Sequence, residues 1–260
     1  MSAVAYSITQ SGLFEPFELQ VARSQITWHS EQNIFANGTT SATAGLFRTV
    51  WENMATAEYV FPSSAVTMQL VSTGVSDTAS IFINGLDANY AIISETLVLN
   101  GTTNVPTTKQ YFRINNITVS SGSATNPSGV VSLSNGGVVY AQINTAIYNA
   151  TTSSVGQSQM AVFTVPAGYT FYGYRYGAYS SFNGNTANYT TYRAITTSSA
   201  GAQKIVLQTP FNTSYEVQRH FPLPYAEKTD LRWQIASSAA TAAVVSINIG
   251  GILIANDTGL

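Results

Sequence analysis

The chain has 260 residues, 45% of them hydrophobic, with a net charge of −2 and no cysteine. That is material for one large β-domain or two small ones, and it excludes a disulfide framework and thiolate metal sites. Charged residues make up only 8%, against about 25% in ordinary globular domains, so no basic field attracts nucleic acid and little charge keeps copies apart.

In chain order, residues 1–12 show no basic stretch followed by an apolar run, so no signal peptide is expected and synthesis is placed in a cytoplasm. Glu15 and Glu18 flank Pro16-Phe17 in a segment that reads as extended. Residues 46–57 are the best helix candidate, with Leu46, Val50, Asn53 and Met54 near one face. Thr49 and Val50 are poor helix formers, so strand and loop stay equally open there. Residues 81–83 read as a strand ended by an Asn84-Gly85 turn. Residues 94–99 alternate, with Glu95, Leu97 and Leu99 on one face, and end at a second turn, Asn100-Gly101. Residues 111–119 are rich in β-branched residues, 120–135 read as loop, and Gly136-Gly137 leads into a strand over 138–143.

A polar stretch over 151–159 marks a soft boundary. Beyond it, strands are expected over 160–165, 169–179, 189–196, 205–209 and 231–235, with Pro166-Ala167-Gly168 breaking the first two. In the last strand, 244–254, Val245, Ile247 and Ile249 face inward while Ser246 and Asn248 face out; the run is far shorter than the ~20 residues of a membrane span. The pattern predicts an all-β chain of tandem antiparallel β-sandwiches, jelly-roll-like. An N-terminal sandwich with an extended arm would occupy 1–155 and a C-terminal one 156–260.

Chemistry is sparse. The two histidines, His29 and His220, form no His-x-x-x-His cluster, and without cysteine a zinc site would need carboxylates. His29, in Trp28-His29-Ser30-Glu31, reads as a buried or interface histidine bonded to backbone, and His220, before Phe221-Pro222, as the end of a strand. Glu15 and Glu18 are a close acidic pair, but any β-protein offers some pair, which is weak ground for glycoside hydrolysis. Asp87 and Asn89 fit a turn better than a calcium site. No phosphate loop, nucleophile elbow or dinucleotide fingerprint is present. No catalytic residue, metal or cofactor is therefore assigned, and the chain is expected not to be an enzyme. Asn-x-Ser/Thr sequons at Asn37, Asn100, Asn116, Asn149, Asn188, Asn212 and Asn256 are discounted, because Asn, Ser and Thr are so common here.

The 15 tyrosines are more informative. Tyr172, Tyr174 and Tyr176 alternate with Phe171, Gly173, Arg175 and Gly177, which predicts three tyrosines on one strand face. Tyr189, Tyr192 and Arg193 lie on the next segment. Such a face suits a cross-strand ladder in the core, a subunit interface or a glycan site. The candidate interface residues are Tyr172, Tyr174, Tyr176, Arg175, Tyr189, Tyr192, Trp28 and His29.

Four stretches carry a resemblance. They are residues 83–103, from Ile83-Asn84-Gly85-Leu86 to Asn100-Gly101-Thr102-Thr103; Gln25-Ile26-Thr27-Trp28-His29-Ser30; Phe163-Thr164-Val165-Pro166-Ala167-Gly168-Tyr169; and the proline-rich run 220–231. In this order, across about residues 25–250, they resemble a family of virion structural proteins of tailed bacteriophages, notably T7-like phages of marine bacteria. The early segment departs from the family in keeping only His29, which weakens any histidine metal cluster. The resemblance implies a virion component made in a bacterial host's cytoplasm. The resemblance names no part of the particle; the first expectation within it is a capsid-decorating or head-to-tail accessory protein that binds other virion proteins, the major capsid or connector and tail proteins, rather than nucleic acid or membrane. By analogy with phage sandwiches a homo-oligomer is expected, a trimer among the options. The alternative is a tail or fibre-associated receptor-binding protein that recognises host surface polysaccharide, although no repetitive shaft is present.

Overall fold

The computed structural model describes residues 15–144, 156–182 and 188–256. The helix α1 (Phe17–Ala22) precedes β1 (His29–Thr39) and the two-residue β2 (Arg48–Thr49). Then come β3 (Val66–Ser72), β4 (Ser80–Leu86), β5 (Ile92–Val98), β6 (Val105–Tyr111), β7 (Arg113–Val119), β8 (Val131–Asn135) and β9 (Val138–Ile143). The rest of the chain supplies β10 (Val162–Thr164), β11 (Tyr169–Ser180), β12 (Thr190–Thr197), β13 (Gln203–Phe211), β14 (Ser214–Tyr225), β15 (Asp230–Ser237) and β16 (Val244–Ala255).

These strands form four open antiparallel sheets, the all-β sandwich class that the alternation predicts. One sheet has the order β1-β16-β11-β14, and it faces a second ordered β10-β15-β12-β13, with β2 added beside β15. Phe163 against Phe171, at 5.3 Å between centroids, and Tyr192 against Tyr215, at 5.8 Å, stitch the two faces together. The other sheets are β6-β3-β8-β9 and β5-β4-β7. Val245, Ile247 and Ile249 of β16 are buried as the period of two requires.

The strands are shared out along a different line from a division near residue 155. β1 pairs along its whole length with β16, from His29 opposite Ile254 to Thr39 opposite Val244, and β2 pairs with β15. Residues 66–143 thus supply two sheets between segments that build the other two. Pairing between the first and last strands is non-local, and no local pattern announces it. All four sheets contribute to one contiguous cluster of buried apolar residues.

A buried ion pair joins the two sets of sheets. Arg113 of β7 grips Asp230 of β15 with two parallel bonds, Nε to Oδ1 at 2.8 Å and Nη2 to Oδ2 at 2.9 Å. Its Nη1 donates to the carbonyls of Pro62 and Phe112, and its guanidinium lies 3.9 Å from the Phe112 ring centre. Thr164 donates its hydroxyl to Asp230 Oδ1 at 2.6 Å. Every charge taken from water here has a partner, the condition for burying a pair without a large penalty.

Several local expectations change. Asn84-Gly85 is not a turn: both residues lie inside β4, at a register shift against β7. A Cβ on Gly85 would sit 2.1 Å from the Arg113 carbonyl oxygen, so glycine is there for close backbone approach rather than chain reversal. The reversal comes next, where Asp87 Oδ1 accepts from the amides of Asn89 and Ala91. Residues 46–57 form β2 followed by consecutive turns that bury Val50, Trp51 and Met54. The single strand expected over 111–119 is β7 alone; Tyr111 ends β6. Pro16-Phe17 opens α1 rather than an extended segment, since a proline loses nothing at a helix start, where its missing N–H has no partner to bond. Residues 1–12, Asn149 and positions 151–155 of the expected boundary lie outside the described residues.

Candidate interaction surface

The alternation of Tyr172, Tyr174 and Tyr176 predicts one shared face, and the structure divides them. β11 shifts register between Gly173 and Arg175 against both neighbours, so Tyr174 is an extra residue and the faces swap beyond it. Tyr176 turns into the core and shares a hydrogen bond of 3.1 Å with Tyr225 through their hydroxyls. Burial and the Tyr225 hydroxyl push its phenol far above the ordinary range. Gly173 makes room for it: a Cβ there would stand 2.2 Å from the Tyr176 hydroxyl oxygen. Tyr192 is also buried, in the facing sheet, and burial raises its phenol strongly. Tyr176 and Tyr192 are therefore core residues and leave the interface set.

The others remain outside. Tyr172 and Tyr174 are half-buried on the outer face of the β1-β16-β11-β14 sheet, and Arg175 is exposed, donating to Asn33 Oδ1 at 3.1 Å. Trp28 enters β1 with a positive φ of 67°, a left-handed conformation that bulky residues rarely adopt. The Ala255 amide bonds its carbonyl, and its side chain is 57% exposed. His29 follows it, its Nδ1 2.8 Å from the Thr27 carbonyl oxygen and its ring edge-on to Phe17. Backbone bonding is what the sequence predicts for His29. Tyr189 stands apart, exposed just before β12 and tied to Ser238 by two backbone-mediated bonds.

Opposite Tyr174, β14 is irregular as well. Gln218 pairs with Arg175 and Leu223 with Gly173, so Arg219, His220, Phe221 and Pro222 face one residue of β11. His220 is thus inside a strand rather than at its end. β14 is the outer strand of its sheet, where prolines are tolerated because one side of the ladder is free.

The two irregularities open a groove of about 500 Å³ lined by α1 (Phe17, Glu18), Tyr174, Ile252 and the β14 residues Gln218, Arg219, His220 and Pro222. A second depression of about 290 Å³ continues from Gln218 past Arg175, Tyr179 and Glu216. Burial, with the Glu31 carboxylate, pushes the Tyr174 phenol up; Arg175 opposes the shift and Glu18 adds to it. Sequence reading assigned Phe17, Gln218, Arg219 and Ile252 to no site, and it read Glu18 only as half of an acidic pair and Pro222 only as part of a proline-rich run. The one available signal was the Pro222-Leu223-Pro224 spacing, which marks an outer strand.

Elsewhere, large apolar side chains stand exposed on outer strands: Phe35 on β1, Ile92 and Val98 on β5, and Ile205 on β13. Among the described residues, no group of three or more His, Asp or Glu could hold a metal ion, and no helix is long and apolar enough to cross a membrane.

No protein-family model matches the chain, and no curated protein does. Similar solved structures are of infectious bursal disease virus and particles derived from it. The infectious bursal disease virus Gt strain structure aligns over 94% of this chain and 79% of that one, at 11% identity and a TM-score of 0.23. T=1 particles derived from the same virus align over 88% and 70%, at 10% identity and a TM-score of 0.25.

Proposed function

We propose that the chain is a non-enzymatic structural component of a bacteriophage virion, acting by binding other virion proteins as a capsid-decorating or head-to-tail accessory protein. The observation that carries this reading is the state of the sheet edges. Among the described residues, β1, β5 and β13 are outer strands of their sheets, and each displays a large apolar side chain to water. Proteins that live as monomers blunt such edges with charge. Here each of the three carries a single charged residue, Glu31, Glu95 and Lys204, and neighbouring subunits would cover the rest of the edge. The resemblance of the stretches around Trp28, Asn84, Pro166 and Pro222 to tailed-phage virion proteins points the same way, as does a neutral polar composition that lets many copies pack with little repulsion.

Immunogold labelling of intact particles with an antibody against this protein tests the reading. Label over the head fits a decorating protein whose partner is the capsid lattice. Label at one vertex fits a connector role, and unlabelled particles would refute a virion role.

A further inference from the structure

The outer face of the β1-β16-β11-β14 sheet contains a feature that neither core packing nor subunit docking requires. Two neighbouring strands are irregular at the same level: one extra residue in β11, Tyr174, opposite four in β14, Arg219 to Pro222. Neither Tyr174 nor Arg219–Pro222 has a register partner across this pair of strands, and Phe221 is left 80% exposed beside His220. Paired distortions of this kind re-aim side chains, and they recur beside binding sites. Here they set Tyr174 opposite the Arg219–Pro222 segment, and both line the groove.

Its lining combines two kinds of surface. Phe17, Tyr174, Pro222 and Ile252 give flat apolar area, while Gln218, Arg219, His220 and Glu18 bring planar hydrogen-bonding groups to the rim. A tyrosine ring serves both purposes, with an apolar face and a polar tip. The charges cancel locally, Glu18 against Arg219 in the first depression and Glu216 against Arg175 in the second. A strongly anionic or cationic ligand would meet repulsion in either. The first depression lies within the usual size of small-ligand sites, about 300–1,000 Å³, and the second extends it lengthwise through Gln218. The fitting ligand is neutral, has apolar faces and hydroxyl-bearing edges, and repeats along a chain.

We propose that this trough is a saccharide-binding site, taking successive neutral pyranose rings of a polysaccharide, with one ring laid on Tyr174 and its hydroxyls bonded by Gln218, Arg219, His220 and Glu18. The site is independent of the virion reading, since the exposed apolar residues proposed to dock partners lie on β1, β5 and β13. It adds carbohydrate recognition to a protein whose other surfaces bind protein.

Saturation-transfer NMR on the full chain tests it, with maltotriose, cellotriose and tri-N-acetylchitotriose as neutral probes and a trigalacturonate as the charged control. The expected result is transfer to the ring protons of at least one neutral probe and a stronger signal than from the trigalacturonate. Affinity should fall about tenfold in Tyr174→Ala, the loss of one aromatic platform, and also in Gln218→Ala, which leaves the aromatic packing intact. Tyr189→Ala, away from the trough, keeps full affinity. The proposal is overturned if no neutral probe receives transfer at millimolar concentration, if only the trigalacturonate binds, or if both trough variants bind as the unaltered chain does.

Discussion

Replacing Arg113 with alanine would leave the Asp230 carboxylate buried beside Thr164 with no counter-charge. Stranding one member of a buried pair costs about 3–5 kcal/mol, so Arg113→Ala should lower the denaturation midpoint sharply in chemical unfolding. Asp77 makes a pH-dependent contribution. Burial pushes its carboxyl up, but bonds from the Ser72 hydroxyl, the Ser128 and Gly129 amides and the Ser128 hydroxyl outweigh that and hold it at about 2, below an ordinary 3.8. A depressed carboxyl stabilises the fold fully above its unfolded value, and that share is lost as the pH falls through the folded one. Stability measured from about pH 4 down to about pH 2 should therefore fall, and in Asp77→Asn this part of the decline should be absent. The variant should be less stable by about 2 kcal/mol at neutral pH, having lost a charged acceptor of several bonds. Sequence alone did not reveal these roles, because Asp77 is held chiefly by Ser128 and Gly129, and Asp230 by Arg113 and Thr164, all far away along the chain.

Strands were legible wherever alternation was clean. β5 and β16 fall within a residue or two of their expected limits, and the inward face of β16 is the expected one. Distorted strands were not legible, because one extra residue reverses the face of everything beyond it. That is why Tyr176 was placed beside Tyr174 and lies in the core. β14 was concealed by its prolines, and α1, at six residues, is too short for periodicity to mark it. The Asn-Gly pair in β4 shows the limit of turn signals, since the glycine answers to the backbone of β7, a strand whose position local sequence does not give. At this scale the exposed edge of β1 makes its own prediction. Phe35→Lys adds a charge at an outer strand without touching the core. It should reduce self-association in sedimentation velocity while leaving the thermal midpoint nearly unchanged.

Across the whole molecule, the division of strands among sheets was the part least accessible to sequence reading. The all-β class followed from composition and turn spacing, but the return of β1 to β16 and of β2 to β15 depends on contacts across the full chain. The consequence is mutual dependence: Arg113 of β7, within residues 66–143, is tied to Asp230 of β15, whose sheet also takes in β2 from before them in sequence, and all four sheets share one apolar cluster. Calorimetry should then record a single cooperative transition. Two resolved transitions would show that the two sets of sheets melt separately.

The pairing of β1 with β16 also sets how the molecule responds to mechanical load. His29 lies opposite Ile254, so the chain enters and leaves this sheet at the same end of two neighbouring antiparallel strands. Tension applied through those two points would run across the ladder and open it like a zipper, breaking backbone bonds one after another at low force. Tension applied along the strands from opposite ends would instead shear many bonds at once. A particle that anchors this protein through its sheet faces would shield it from the weak direction, and one that tethers it by both ends would not.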